Sequence, residues 1–178
     1  MTLIERARAF AQERHAGQIR KGLAEEPYEV HLREVADLVA GWGGSEDWIA
    51  AAWLHDTVED CPPTSQSELT DLFGAIVAGL VMEVTDDKSL PKAERKRQQV
   101  KHAAGKSPGA ALIKIADKTS NVRALRMSPP ASWSVERKNA YLDWAEEVIG
   151  ALPAGHDGPK AVFQAELAAS RAMVCDVA

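Results

Sequence analysis

The chain has 178 residues, 46% hydrophobic and 26% charged, which is enough for one domain with a substantial core. Its formal net charge of −5 argues against general nucleic-acid binding, whose affinity comes mostly from lysines and arginines that neutralise phosphates. No segment is long and apolar enough to span a membrane, the N-terminus lacks the unbroken apolar stretch of a signal peptide, and two cysteines, Cys61 and Cys175, are too few and too far apart for a disulfide framework, so the expected setting is the reducing cytoplasm.

Strand signals are scarce and helical ones frequent. A first helix is expected from Thr2 to about His15, with Leu3, Ala7 and Phe10 on one face. "GQIRKGLAEEPYEV" reads as a loop, with two glycines and a proline. A second helix runs from near His31 to Trp42, with Val35, Leu38 and Val39 inward. "GGSEDW" is a turn with Ser45 as N-cap and acids in the first helical turn; that helix carries Ile49, Trp53 and Leu54 into "HDTVED" and stops at Pro62-Pro63. Thr64 is expected to cap a short helix ending near Gly74, and another covers Ala75 to Glu83. Pro91 suits the first turn of a very polar helix, "PKAERKRQQVKHA". Ser107-Pro108 opens "GAALIKIADKTSNVRALR"; "SPPASWS" breaks the chain; "VERKNAYLDWAEEVIGAL" resumes helix; and a last amphipathic helix spans about Lys160 to Val174. The expectation is one all-α domain over residues 1–178, without internal repeats.

The chemistry gathers at "AAWLHDTVED". If this segment is helical, His55 and Glu59, and likewise Asp56 and Asp60, stand at i and i+4 and share a face. An imidazole and a carboxylate can hold one divalent cation, and two further carboxylates can orient a water or exchange protons with it. The alternative is a helix end with solvated charges. His31 follows a loop and reads either as a cap, as a core histidine or as a ligand. Asp117 lies in an apolar run with Asn121 four residues on; if buried it must be paired, hydrogen-bonded or metal-bound, and the lysines beside it offer a pairing. Taken together, His31, His55, Asp56 and Asp117 supply two nitrogens and two carboxylates from three helices.

This pattern resembles the HD-domain metal-dependent phosphohydrolases, and more closely the hydrolase domain of the RelA/SpoT alarmone enzymes and their small stand-alone metazoan SpoT-like forms. "FAQERHAGQIRKGLAEEPYEVH", "AAWLHDTVED", "FGAIVAGLVMEVTDDKSLPKAERKRQQV", "SPGAALIKIADKTSNVRAL" and "WSVERKNAYLDWA" carry the resemblance, over most of residues 7 to 145. It implies an all-α HD fold, one Mn²⁺ held by His31, His55, Asp56 and Asp117, and Glu59 and Asp60 as catalytic acids. Imidazole plus carboxylate suits Mn²⁺, Fe²⁺ or Zn²⁺, and chemistry alone does not choose among them. The implied substrate is guanosine 3′,5′-bis(diphosphate), ppGpp, or its pentaphosphate relative pppGpp, losing the 3′-diphosphate as pyrophosphate.

Such a substrate needs positive charge. Arg20 and Lys21 lie in the loop before His31, and Lys92, Arg95, Lys96, Arg97, Lys101 and Lys106 fall in one stretch that contains a single acid, Glu94. A solvated basic face is the bland reading of that stretch. By the resemblance, Arg20 and Lys21 flank the base and phosphates, Lys92 faces phosphate, Asn121 faces the ribose, and Arg137 and Tyr141 close another side of the pocket; Tyr28 reads as core packing. Leu32, Cys61 and Glu26 depart from the family's usual pattern, but none is an implied ligand or acid. Two other readings stand beside this one: an HD-type phosphatase for another nucleotide such as NADPH, and a non-catalytic nucleotide-sensing module. A second, synthetase domain is not expected, and the oligomeric state is not legible.

Overall fold

In the computed structural model, which describes residues 1–175 with the side chain of residue 175 excepted, the described residues form ten helical segments and no strand. They are α1 (Leu3–Arg14), α2 (Glu29–Gly41), α3 (Glu46–Leu54), α4 (Thr57–Asp60), α5 (Gln66–Phe73), α6 (Ala75–Val84), α7 (Lys92–Ala103), α8 (Pro108–Met127), α9 (Val135–Gly150) and α10 (Asp157–Cys175). None is long and apolar enough to cross a membrane.

Most starts follow from local chemistry. Thr2 and Glu5 form a capping box: the Thr2 hydroxyl accepts from the Glu5 amide and the Glu5 carboxylate accepts from the Thr2 amide. Ser45, Ser107 and Ser134 accept from the amide three residues on and so start α3, α8 and α9. Each such cap contributes about 1 kcal/mol. The cap of α5 is Ser65, which accepts from the Glu68 amide, and not Thr64. Thr64 is spent on the turn after the prolines, where its amide donates to the Cys61 carbonyl at 3.0 Å, and its side chain is buried. Helix α2 begins two residues before His31, because the loop ahead of it is pinned: the Tyr28 amide donates to Gln18 and the Arg20 amide to Glu26, at 2.9 and 2.8 Å.

"AAWLHDTVED" is not one continuous helix. His55 Nδ1–H donates to the Ala52 carbonyl at 2.7 Å and the Thr57 hydroxyl to the Leu54 carbonyl at 2.7 Å. These are the carbonyls that amides of the next turn would use, so side chains compete with the backbone and end α3 at Leu54. The short α4 restarts after Asp56.

Helix α8 is the axis of the molecule and is buried along most of its length. Ala110, Leu112, Ile113 and Ala116 join a core with α1, α2, α3, α5 and α6. Ala111, Ile115, Val122 and Leu125 join another with α9 and α10. An apolar surface on both sides explains why its sequence shows little amphipathic period. Small residues let the helices approach: a Cβ on Gly109 would lie 2.8 Å from Trp48 Nε1 and 2.9 Å from Leu80 Cδ2. Gly109→Ala is therefore expected to lower stability by about 1–3 kcal/mol through overpacking. Urea unfolding measures this, and an unchanged midpoint would contradict the packing described.

Candidate active site

Three helices bring the polar cluster together. His31 comes from the first turns of α2, His55 and Asp56 from the α3–α4 junction, and Asp117 from the middle of α8. Both histidines and Asp117 are buried, and Asp56 is nearly so. His31 Nε2 and His55 Nε2 stand 3.2 Å apart. Asp56 Oδ2 lies 3.1 Å from His55 Nε2 and 3.6 Å from His31 Nε2, and Asp117 Oδ1 lies 3.6 Å from His31 Nε2. His31, His55 and Asp117 each offer one ligand atom within 4.8 Å of the others, a geometry able to hold a metal ion.

The surrounding hydrogen bonds fix the tautomers. His55 gives its Nδ1 proton to the Ala52 carbonyl. The Ser120 hydroxyl gives its own proton to Glu34 at 2.5 Å, so Ser120 Oγ accepts from His31 Nδ1–H at 2.9 Å. Both Nε2 atoms are thereby turned into the cluster. Two carboxylates buried beside them need positive charge among them, from a proton on an imidazole or from a metal ion. The donor set fits a divalent metal, with outer partners that orient it.

The electrostatics express the same demand. Burial lowers the His31 pKa, and the neighbouring His55 adds to this. Burial also opposes charge on His55, but Asp56, Asp117 and the Ala52 carbonyl outweigh it and push His55 up to about 9. Burial would raise both carboxyls, yet His55 and the bonds to both imidazoles hold Asp56 well below the usual range, and Lys118 and Lys114 hold Asp117 low. The pairing of Asp117 with lysines anticipated from sequence is present: Oδ2 faces Lys118 Nζ at 3.1 Å and Lys114 Nζ at 3.7 Å. Its other oxygen, Oδ1, faces His31 and accepts from Asn121 Nδ2 at 2.6 Å. The lysine pairing thus occupies one oxygen of the carboxylate and leaves the other turned towards His31.

Tyr28 is more than packing. Its hydroxyl donates to Asp56 Oδ2 at 2.6 Å, and its ring stacks on His15 and meets His31 edge-on. Glu59 and Asp60 stand on the short α4, after the interruption at His55 and Asp56. Glu59 Oε2 accepts from the Asp86 amide at 3.1 Å and Oε1 faces Arg95 at 3.6 Å. Burial, with Asp86, Asp56 and Asp60 nearby, pushes Glu59 up to about 7 against the Asp86 hydrogen bond. Asp60 pairs with Lys88.

The expected substrate residues line two clefts that share Trp133 and Tyr141. One, about 680 Å³, takes Arg20, Lys21, Asn121 and Tyr141 together with Asp60 and Tyr28. The other, about 250 Å³, takes Lys92, Arg137 and Tyr141 with Arg95, Lys96 and Trp144. Arg20 Nη2 donates to Asn121 Oδ1 and Ser120 Oγ, both at 3.3 Å, while Lys21, Lys92 and Arg137 are exposed. Sequence reasoning missed Glu34, Ser120, Trp133 and Trp144. Ser120 lies between Asp117 and Asn121, and the tryptophans flank Arg137 and Tyr141, so proximity was an available signal. Glu34 offered only its place one helical turn after His31.

A profile described as "HD domain" matches residues 7–142, and the chain belongs to the HD-domain family. Among characterised relatives it is similar to guanosine-3′,5′-bis(diphosphate) 3′-pyrophosphohydrolase MESH1 of Danio rerio, 48% identical over 145 residues and 80% of each chain. The Homo sapiens protein of that name is 46% identical over the same share. Among solved structures, a metazoan ortholog of SpoT, described as hydrolysing ppGpp and playing a role in starvation responses, matches with a TM-score of 0.90 and 37% identity over 95% of this chain and 96% of that one.

Because His55 lies at about 9, it is protonated at pH 7.5, while a metal needs its lone pair. Metal binding is expected to release about one proton at that pH, and affinity to rise with pH up to about 9. Titration calorimetry in buffers of different ionisation enthalpy reads the release; a heat independent of buffer would contradict it.

Proposed function

We propose that residues 1–178 form one HD-type domain acting as a Mn²⁺-dependent guanosine 3′,5′-bis(diphosphate) 3′-pyrophosphohydrolase. The observation that carries this reading is the buried His31–His55–Asp56–Asp117 donor set lying beside clefts lined by cations, in a chain so similar to proteins of that name.

Those four residues would hold a divalent cation, which would supply Lewis acidity and lower the pKa of a water. The rest falls to the chain's own groups. Water adds to the phosphorus on the ribose 3′ oxygen, the bond from that phosphorus to the 3′ oxygen breaks, and the 3′ oxygen takes up a proton. GDP (or GTP from pppGpp) and pyrophosphate result. Glu59 and Asp60 take a proton from the water and return one to the 3′ oxygen, the two roles being assigned to the pair. Glu59, at about 7, exchanges protons readily near neutrality. Lys92 and Arg137 offset phosphate charge in the smaller cleft. Arg20, Lys21, Asn121 and Tyr141 hold the nucleoside in the larger one.

The test is incubation with ppGpp and Mn²⁺ and assay of pyrophosphate and GDP. Asp56→Ala is expected to lose bound metal and turnover together. Glu59→Ala is expected to keep the metal and lose activity by about 10²–10⁴-fold. Full turnover by Glu59→Ala would remove that residue from the mechanism, and a wild-type chain inert towards ppGpp would overturn the reading.

A further inference from the structure

The smaller cleft gathers like charges that repel one another. Burial lowers the Lys96 pKa, and Lys92, Lys118 and Arg137 lower it further. Among the described residues, Lys92, Lys96 and Arg137 form no ion pair with a carboxylate. Something other than an acid must hold these cations in place.

The aromatic row of the wall does so. Trp133, Tyr141 and Trp144 follow one another with ring centroids 5.7 and 5.5 Å apart. Arg137 lies over Trp133 at 4.4 Å. Trp144 carries two ammonium groups: Lys96 Nζ at 4.5 Å and Lys118 Nζ at 4.4 Å from its ring centre. Its Nε1–H also donates to the Lys96 carbonyl at 3.2 Å. The indole on α9 thus ties α7, through Lys96, to α8, through Lys118, and Lys118 in turn touches Asp117. A π face attracts Lys96 without neutralising it, so its ammonium stays available to an anion, whereas Lys118 is already paired with the Asp117 carboxylate.

We propose that Trp144, itself held from α8 by Lys118, is a positioning residue which, by seating Lys96 on its ring, preassembles an anion subsite with Lys92 and Arg137 for the diphosphate group of the substrate. The inference rests on the ppGpp reading for the identity of that substrate; the subsite itself requires only a diphosphate.

Inorganic pyrophosphate, titrated calorimetrically into the full chain, separates the two. Trp144→Leu is expected to weaken pyrophosphate about tenfold, and to raise KM for ppGpp far more than it lowers kcat. Trp144→Phe, which keeps a ring, is expected to recover most of that affinity. Lys96→Met, which leaves the indole in place, is expected to weaken pyrophosphate by itself, and the effect of Trp144→Leu is expected to shrink in its background. Pyrophosphate binding that is unchanged in Trp144→Leu, equally impaired in the Phe and Leu variants, or unchanged in Lys96→Met would overturn the proposal. Should Trp144→Leu not fold, the Phe and Lys96 variants still decide it. A wild-type chain that binds pyrophosphate but leaves ppGpp intact would defeat the substrate assignment and not the subsite.

Discussion

The structure depends on a buried meeting of two imidazole Nε2 atoms and two carboxylates, each within 3–4 Å of at least one of the others. Such a group is costly to bury unless positive charge joins it. Three helices must converge to build it, and their packing is arranged for close approach. Ala36 on α2, Ala50, Ala51 and Ala52 on α3, and Ala110 and Ala116 on α8 are all fully or almost fully buried. Small side chains at these crossings let the backbones come near enough for His31, His55 and Asp117 to touch. The break after Leu54 belongs to the same design, because the bond that ends α3 also turns His55 Nε2 inward.

Charge is sorted around this centre. The chain is acidic overall, yet the clefts that open beside the cluster collect Arg20, Lys21, Lys92, Arg95, Lys96 and Arg137. The two acids beyond the cluster are held from the α6–α7 connection, Glu59 by the Asp86 amide and Asp60 by Lys88. The buried cluster, the two acids and the cleft cations therefore come largely from different elements, and the aromatic wall of α9 and the loop before it borders both clefts. A polyphosphate nucleotide has the complementary distribution: negative charge for the cationic clefts and a flat base for the aromatic wall.

Much of this was legible in the sequence because it is local. Ser45 and Ser107 announced their helices, the prolines announced the stop after Cys61, and the absence of alternating apolar runs announced the all-α class. His55, Asp56 and Asp117 stood out because ionisable groups in or beside apolar runs require partners, and His31 completed the set. What escaped depends on side chains competing with the backbone or on contacts across the fold. The interruption at His55–Asp56 needs a ring nitrogen and a hydroxyl to take carbonyls from the helix, and residue type alone does not reveal that. Tyr28 reads as core until Asp56 is found against its hydroxyl. Ser120 fixes the tautomer of His31 only because Glu34, eighty-six positions earlier in the chain, takes its proton. Lys96 looks like a solvated lysine until an indole is seen beneath it.

The central claim is that the His31–His55–Asp56–Asp117 cluster is built around a cation. Anomalous diffraction at the manganese edge, from crystals of the chain equilibrated with Mn²⁺, tests it most directly. The account requires one dominant peak bounded by the two Nε2 atoms and the carboxylates of Asp56 and Asp117. A peak elsewhere, or none within that cluster, would contradict it.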